Sequence, residues 1–124
     1  MTLAPRSFGD ACVLCPAGRI DHENSDAFRA ELTPQVEASA RAGRAVVLDL
    51  SGMEYVSSAG LRCFMLAARE AREHKGRILV AAMQPVVAEI FQISRFNLVF
   101  PVFPTLRDAL ASVSPEALAA YAQA

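Results

Sequence analysis

Apolar residues along this chain fall into short runs rich in Val, Leu and Ile, and longer stretches with helical spacing separate those runs. Ala45-Val46-Val47-Leu48-Asp49-Leu50 is too short for an independent helix, is bounded by Gly43 and by Ser51-Gly52, and predicts a buried strand. Arg77-Ile78-Leu79-Val80-Ala81-Ala82 reads the same way, and Leu98-Val99-Phe100-Pro101-Val102-Phe103 is a third such run. Pro101 cannot donate to a ladder, which places that last strand at a sheet edge. Ala11-Cys12-Val13-Leu14-Cys15-Pro16-Ala17 is the fourth strand candidate.

Between the strands, Leu61, Phe64, Met65, Ala68 and Ala71 recur at helical spacing, while Arg62, Arg69, Glu70, Arg72 and Glu73 lie mostly elsewhere, so an amphipathic helix is expected from Ser58 to His74. Asn24-Ser25-Asp26 supplies cap residues for a helix carrying Phe28, Leu32 and Val36 and ending near Gly43. Pro34 is expected to kink that helix or split off its first turns. Pro85 suits the first residue of a short helix holding Val86, Val87, Ile90 and Phe91, and Thr105 can cap another with Leu106, Ala109 and Leu110. Alternating strands and helices imply the α/β class: a single domain whose mostly parallel sheet of about four to five strands is covered by about four helices. No repeat or linker divides residues 1–113. Ser114-Pro115 breaks the last helix, and residues 114–124 are expected as a tail that forms a marginal helix or frays.

Composition narrows the function classes. A chain of 124 residues that is 53% hydrophobic and 20% charged can bury one core and is not a disordered tail. A net charge of −1 gives no field to gather phosphate backbones or anionic lipid, so no nucleic acid and no membrane is expected as partner. No apolar run reaches the roughly 20 residues that span a bilayer, and Met1 to Arg6 lacks the pattern of a secretory leader, which implies a cytoplasmic protein. Cys12, Cys15 and Cys63 are an odd count that fits free thiols.

The segment that carries chemistry runs from Val46 to Arg62. A buried strand leads into Asp49, a short loop follows, and Ser57-Ser58-Ala59-Gly60-Leu61 opens the amphipathic helix. Either serine can act as the N-cap, satisfying an orphan backbone N–H, and a cap alone explains a serine there. Together with Gly18-Arg19-Ile20-Asp21 upstream, and with the stretch from Val87 to Ser94 and Asp108-Ala109-Leu110 downstream, this segment resembles the STAS domain of bacterial anti-sigma factor antagonists. The likeness runs in one register over roughly residues 8 to 113.

That resemblance implies a protein that binds a serine-kinase anti-sigma factor, releases a sigma factor, and is switched off when the kinase phosphorylates one serine. In the family's signature the modified residue is the serine two places before the glycine, here Ser58. Ser57, Ala59, Gly60 and Leu61 complete the signature, and the family's acidic positions near the switch match Asp21 and Asp49. A PP2C-type phosphatase is the second implied partner, and no cofactor, metal or catalytic activity is implied. Two residues depart from the pattern: Ser57 stands where some members carry Asp, and Arg95 where many have the glycine that ends the third helix. A phosphoserine adds about −1.5 to −2 charges, which a helix N-terminus tolerates but a partner interface does not, so the switch needs no global rearrangement.

Other chemistries fit the residues less well. Cys12 and Cys15 have metal or redox spacing, but residues three apart on a strand face opposite ways and no second Cys or His pair accompanies them. Ser57, Ser58, His22 and Asp49 lack the G-x-S-x-G elbow of a serine hydrolase, and Gly60 is not part of a phosphate-binding loop. His74 and Gly76 are expected as a dipole-favoured helix end and its stop. The alternative within the same fold is a STAS accessory module of a transport or sensory complex, binding a small ligand or nucleotide. A complete signature in a stand-alone chain favours the sigma-regulating switch.

Overall fold

The computed structural model describes residues 3–124. In chain order the elements are β1 (Arg6–Phe8), β2 (Ala11–Leu14), β3 (Gly18–Ile20), α1 (Ser25–Arg41), β4 (Ala45–Asp49), β5 (Met53–Val56), α2 (Ser58–Glu73), β6 (Ile78–Ala81) and α3 (Pro85–Ile93). A 3-10 turn (Phe96–Leu98), β7 (Val102–Phe103), α4 (Leu106–Val113) and α5 (Pro115–Ala122) follow. The main sheet has the order β1-β2-β4-β6-β7, with β1 antiparallel to β2 and every other pair parallel. β3 and β5 form a separate parallel pair in which Ile20 stands opposite Val56.

Strand periodicity divides the interior into two cores. Cys12, Leu14, Val46, Leu48, Ile78 and Val80 face one way, onto α1, α2 and α3. Ala11, Val13, Ala45, Val47, Leu79 and Ala81 face the other, onto α4 and α5. Such continuous burial on both faces explains why these strands read as unbroken apolar runs. The first core is filled by aromatic contacts: Phe64 meets Phe28 at 5.4 Å and Phe91 at 5.6 Å between ring centroids, both edge-on.

Several expectations are corrected. The run 98–103 is strand only at Val102–Phe103, because Phe96, Phe100 and the 3-10 turn drop into the first core. β7 does lie at the sheet edge, with Pro101 just before it. Pro34 does not split off the first turns of α1, which runs as one helix from Ser25 to Arg41 with the proline on its exposed side. Gly76 is not the left-handed stop of α2: Lys75 takes that conformation at φ 59°, and Gly76 is small because an added Cβ would lie 2.6 Å from the Cβ of Ala40 on α1. The expected buried stripe of α2 is also turned. Cys63 and Ala67 are buried in place of Leu61 and Met65, which are only partly covered.

The C-terminal residues 114–124 contain α5, capped by the Ser114 hydroxyl accepting from the Ala117 N–H at 3.0 Å. Ala117 is fully buried and Tyr121 meets Phe8 edge-on at 5.5 Å. A helix this short is not stable by itself, so packing on β1 and α4 holds it.

Candidate functional site

The β3–β5 pair sets the start of α2. The Ser57 N–H donates to the Ile20 carbonyl at 2.8 Å, which keeps Ser57 extended at φ −85°, ψ 175° and begins the helix at the next residue. In that conformation the Ser57 hydroxyl accepts from the Gly60 N–H at 3.2 Å, so Ser57 is the N-cap. Ser58 is the first helical residue, exposed, and its side chain makes no hydrogen bond among the described residues. Of the two serines left open as caps, one holds the helix and the other is free.

Gly60 lets this helix start approach the strands. A Cβ there would lie 2.7 Å from Val56 Cγ2 and 2.8 Å from Ile20 Cγ2, closer than packed carbons tolerate. Ser58, Ala59, Leu61, Arg62, Met65 and Phe96 then line an open groove of about 580 Å³. Its apolar wall joins the two α2 residues that the buried stripe leaves out, Leu61 and Met65, to Phe96 beyond α3. Farther along the same segment, Ile93 and Leu98 are about three-quarters exposed, at 74% and 75%.

Asp21 follows β3 directly and so leaves the strand pair beside Ser57. Its Oδ1 accepts from the Glu23 N–H at 2.9 Å and the Asn24 N–H at 3.2 Å, an Asx turn. Asn24 does not cap α1 with its side chain. Its Oδ1 accepts instead from the Asp21 N–H at 2.8 Å and its Nδ2 donates to the Arg19 carbonyl at 2.7 Å, locking the loop between β3 and α1. Asp49 ends β4 and its Oδ1 accepts from the Ser51 N–H at 3.0 Å, while Gln84 Nε2 donates to the Ser51 carbonyl at 2.8 Å. No hydrogen bond or ion pair joins Asp21 or Asp49 to Ser58 among the described residues. Both aspartates shape loops at the ends of strands. Asn24, Gln84 and Phe96 were not legible as site residues, since nothing in their spacing ties them to Ser58. Arg62, expected only as part of the polar face of α2, also lines the groove, and its place four positions after Ser58 on that helix is the signal that points to it.

The thiols are packing groups. Cys63 is buried, its Sγ lying 3.4 Å from the carbonyls of Ser25 and Ala59, and burial pushes its pKa up. Cys15 is raised by burial and then by the Asp49 carboxylate. Cys12 belongs to one core and Cys15 packs against the other, so they do not form one site. The cap, the exposed serine and the groove make a surface suited to macromolecular contact and covalent modification.

Comparison with known proteins bears on that reading. The family model of the STAS domain matches residues 3–109. A Bordetella bronchiseptica protein that carries the name anti-sigma factor antagonist BtrV is 38% identical over 106 residues, covering 86% of this chain and 88% of its own. The crystal structure of an anti-sigma factor antagonist from Mycobacterium paratuberculosis is 26% identical with a TM-score of 0.77, covering 90% of this chain and 92% of that one. The Bacillus cell fate determinant SpoIIAA in its phosphorylated form is 17% identical with a TM-score of 0.65, covering 89% and 97% respectively. No helix among the described residues is long and apolar enough to cross a membrane.

Proposed function

Because this chain belongs to the STAS domain family, we propose that it is an anti-sigma factor antagonist that binds a serine-kinase anti-sigma factor and is inactivated by phosphorylation on Ser58. The observation that carries this reading is the division of labour between the two serines. Ser57 satisfies the helix, leaving Ser58 exposed at the first turn with its hydroxyl uncommitted. A phosphate there replaces no native hydrogen bond and meets the positive end of the α2 dipole, so the fold accepts it.

Loss of partner binding then comes from the interface. Leu61, Met65 and Phe96 offer apolar contact beside Ser58, and a dianion in their midst has to be desolvated when a partner covers the groove. Ala59, small and part of the groove beside Ser58, lets that partner come close, while Gly60 seats the helix start against Val56 and Ile20. Asp21 and Asp49 support the switch by ordering the loops around it, and they carry out no chemistry themselves. Asn at either position keeps the accepting oxygen and removes the charge. Asp21→Asn or Asp49→Asn therefore slows phosphorylation or weakens partner binding while leaving the melting temperature nearly unchanged.

The test is incubation with the cognate kinase and ATP, peptide mapping, and calorimetric titration of the kinase into unmodified and phosphorylated protein. The expected result is one phosphate, absent from Ser58→Ala, and at least a tenfold loss of affinity on phosphorylation, equivalent to about 1.4 kcal/mol. Labelling kept in Ser58→Ala but lost in Ser57→Ala, or equal affinities of the two forms, overturns the reading. A PP2C-type phosphatase restoring the affinity completes the cycle.

A further inference from the structure

We propose that Arg62 is an intramolecular clamp for the phosphate on Ser58, so that modification stiffens the start of α2. This rests on the phosphorylation proposed for Ser58 and specifies what the phosphate touches in this chain. Arg62 lies one helical turn after Ser58, and both line the same groove. The (i, i+4) separation brings side chains within reach, and an anion on the N-terminal side of a cation is the favourable order along a helix. Arg62 is exposed and has no hydrogen bond or ion pair among the described residues, so it is free to turn toward a new anion.

Two other charged groups near this end of α2 already have partners in the strand pair and its loop. Arg19 on β3 lies over the Tyr55 ring, 4.5 Å from its centroid. Asp21 is committed to its own loop. Asp26 and Arg29, from α1, are exposed and bear electrostatically on the Cys63 thiol, as Arg62 does. Arg29 also shares a separate groove with Arg69 and Glu70. Arg62 alone combines the helical spacing with the groove of Ser58. Its fork of N–H donors suits a phosphate, and the Ser57 cap is left intact beside it.

Protein with phosphoserine installed at residue 58 during translation tests this without any kinase. The second pKa of the phosphate, read by ³¹P NMR titration, is expected below its ordinary value near 6. Arg62→Gln should raise it by roughly half a unit, and Arg62→Lys should restore part of the shift. Thermal melts should show the phosphoprotein roughly 2 °C above the unmodified protein, with that gain reduced in Arg62→Gln, whose unmodified form melts unchanged. A phosphate pKa indifferent to Arg62→Gln, or one that moves equally in the control Arg69→Gln, overturns the clamp. Failure of a kinase to label Ser58 would count against the proposed function and leave this measurement standing.

Discussion

Replacing each of the paired serines by alanine should separate their roles by stability alone. In Ser57→Ala the hydrogen bond from the Gly60 N–H, 3.2 Å long, disappears and one of the orphan donors of α2 loses its partner. The main-chain anchors stay, since the Ser57 N–H still reaches the Ile20 carbonyl and the Ser57 carbonyl still accepts from Leu61. The cost is therefore that of one cap, about 1 kcal/mol, or a drop of roughly 4 °C in melting temperature for a chain of this length. Ser58→Ala removes an exposed hydroxyl with no partner and should stay within about 0.5 kcal/mol of the parent. Ser57→Asp keeps the accepting oxygen, adds a charge the helix N-terminus favours, and should match or exceed the parent. Urea denaturation of the four proteins, with equal m-values as the check on two-state behaviour, measures this. A larger loss for Ser58→Ala than for Ser57→Ala would refute the assignment of cap and free serine, and with it the argument that phosphorylation spares the fold.

Gly60→Ala, which in an ordinary helix gains up to about 1 kcal/mol, should destabilise by about 1–3 kcal/mol because its Cβ meets Val56 and Ile20 below 3 Å; a gain in urea denaturation would show that the helix start has room. Arg95 holds a left-handed conformation at φ 62°, so Arg95→Gly should stabilise by about 0.5–1 kcal/mol in the same assay, the relief of strain outweighing the added freedom of the unfolded chain. The Cys63 pKa is raised by burial, so its contribution to stability is present below the ordinary thiol range and is lost as pH rises through the raised folded value. Melting temperature should fall less steeply at alkaline pH in Cys63→Ala than in the parent; parallel profiles would show that the thiol does not ionise in this way.

What could be read without coordinates was whatever the chain writes as periodicity. β2, β4 and β6 are buried on both faces, and their apolar runs announced them. β1, β3 and β5 did not, because Arg6-Ser7-Phe8, Gly18-Arg19-Ile20 and Met53-Glu54-Tyr55-Val56 are short and mix polar with apolar residues. Pairing makes them strands: β1 with the neighbouring β2, and β3 and β5 with each other across α1 and β4. The same distinction runs through the site. That serines open α2 follows from local pattern, yet which serine caps it depends on the Ser57 N–H meeting Ile20, a contact between segments 37 positions apart. The groove is likewise non-local, since Phe96 reaches Leu61 and Met65 only after α3 and the 3-10 turn fold back over α2. A substitution in β3 that weakens the pairing with β5 should consequently blur the difference between Ser57 and Ser58, because the extended conformation that makes Ser57 the cap is held by that pairing and not by its own side chain.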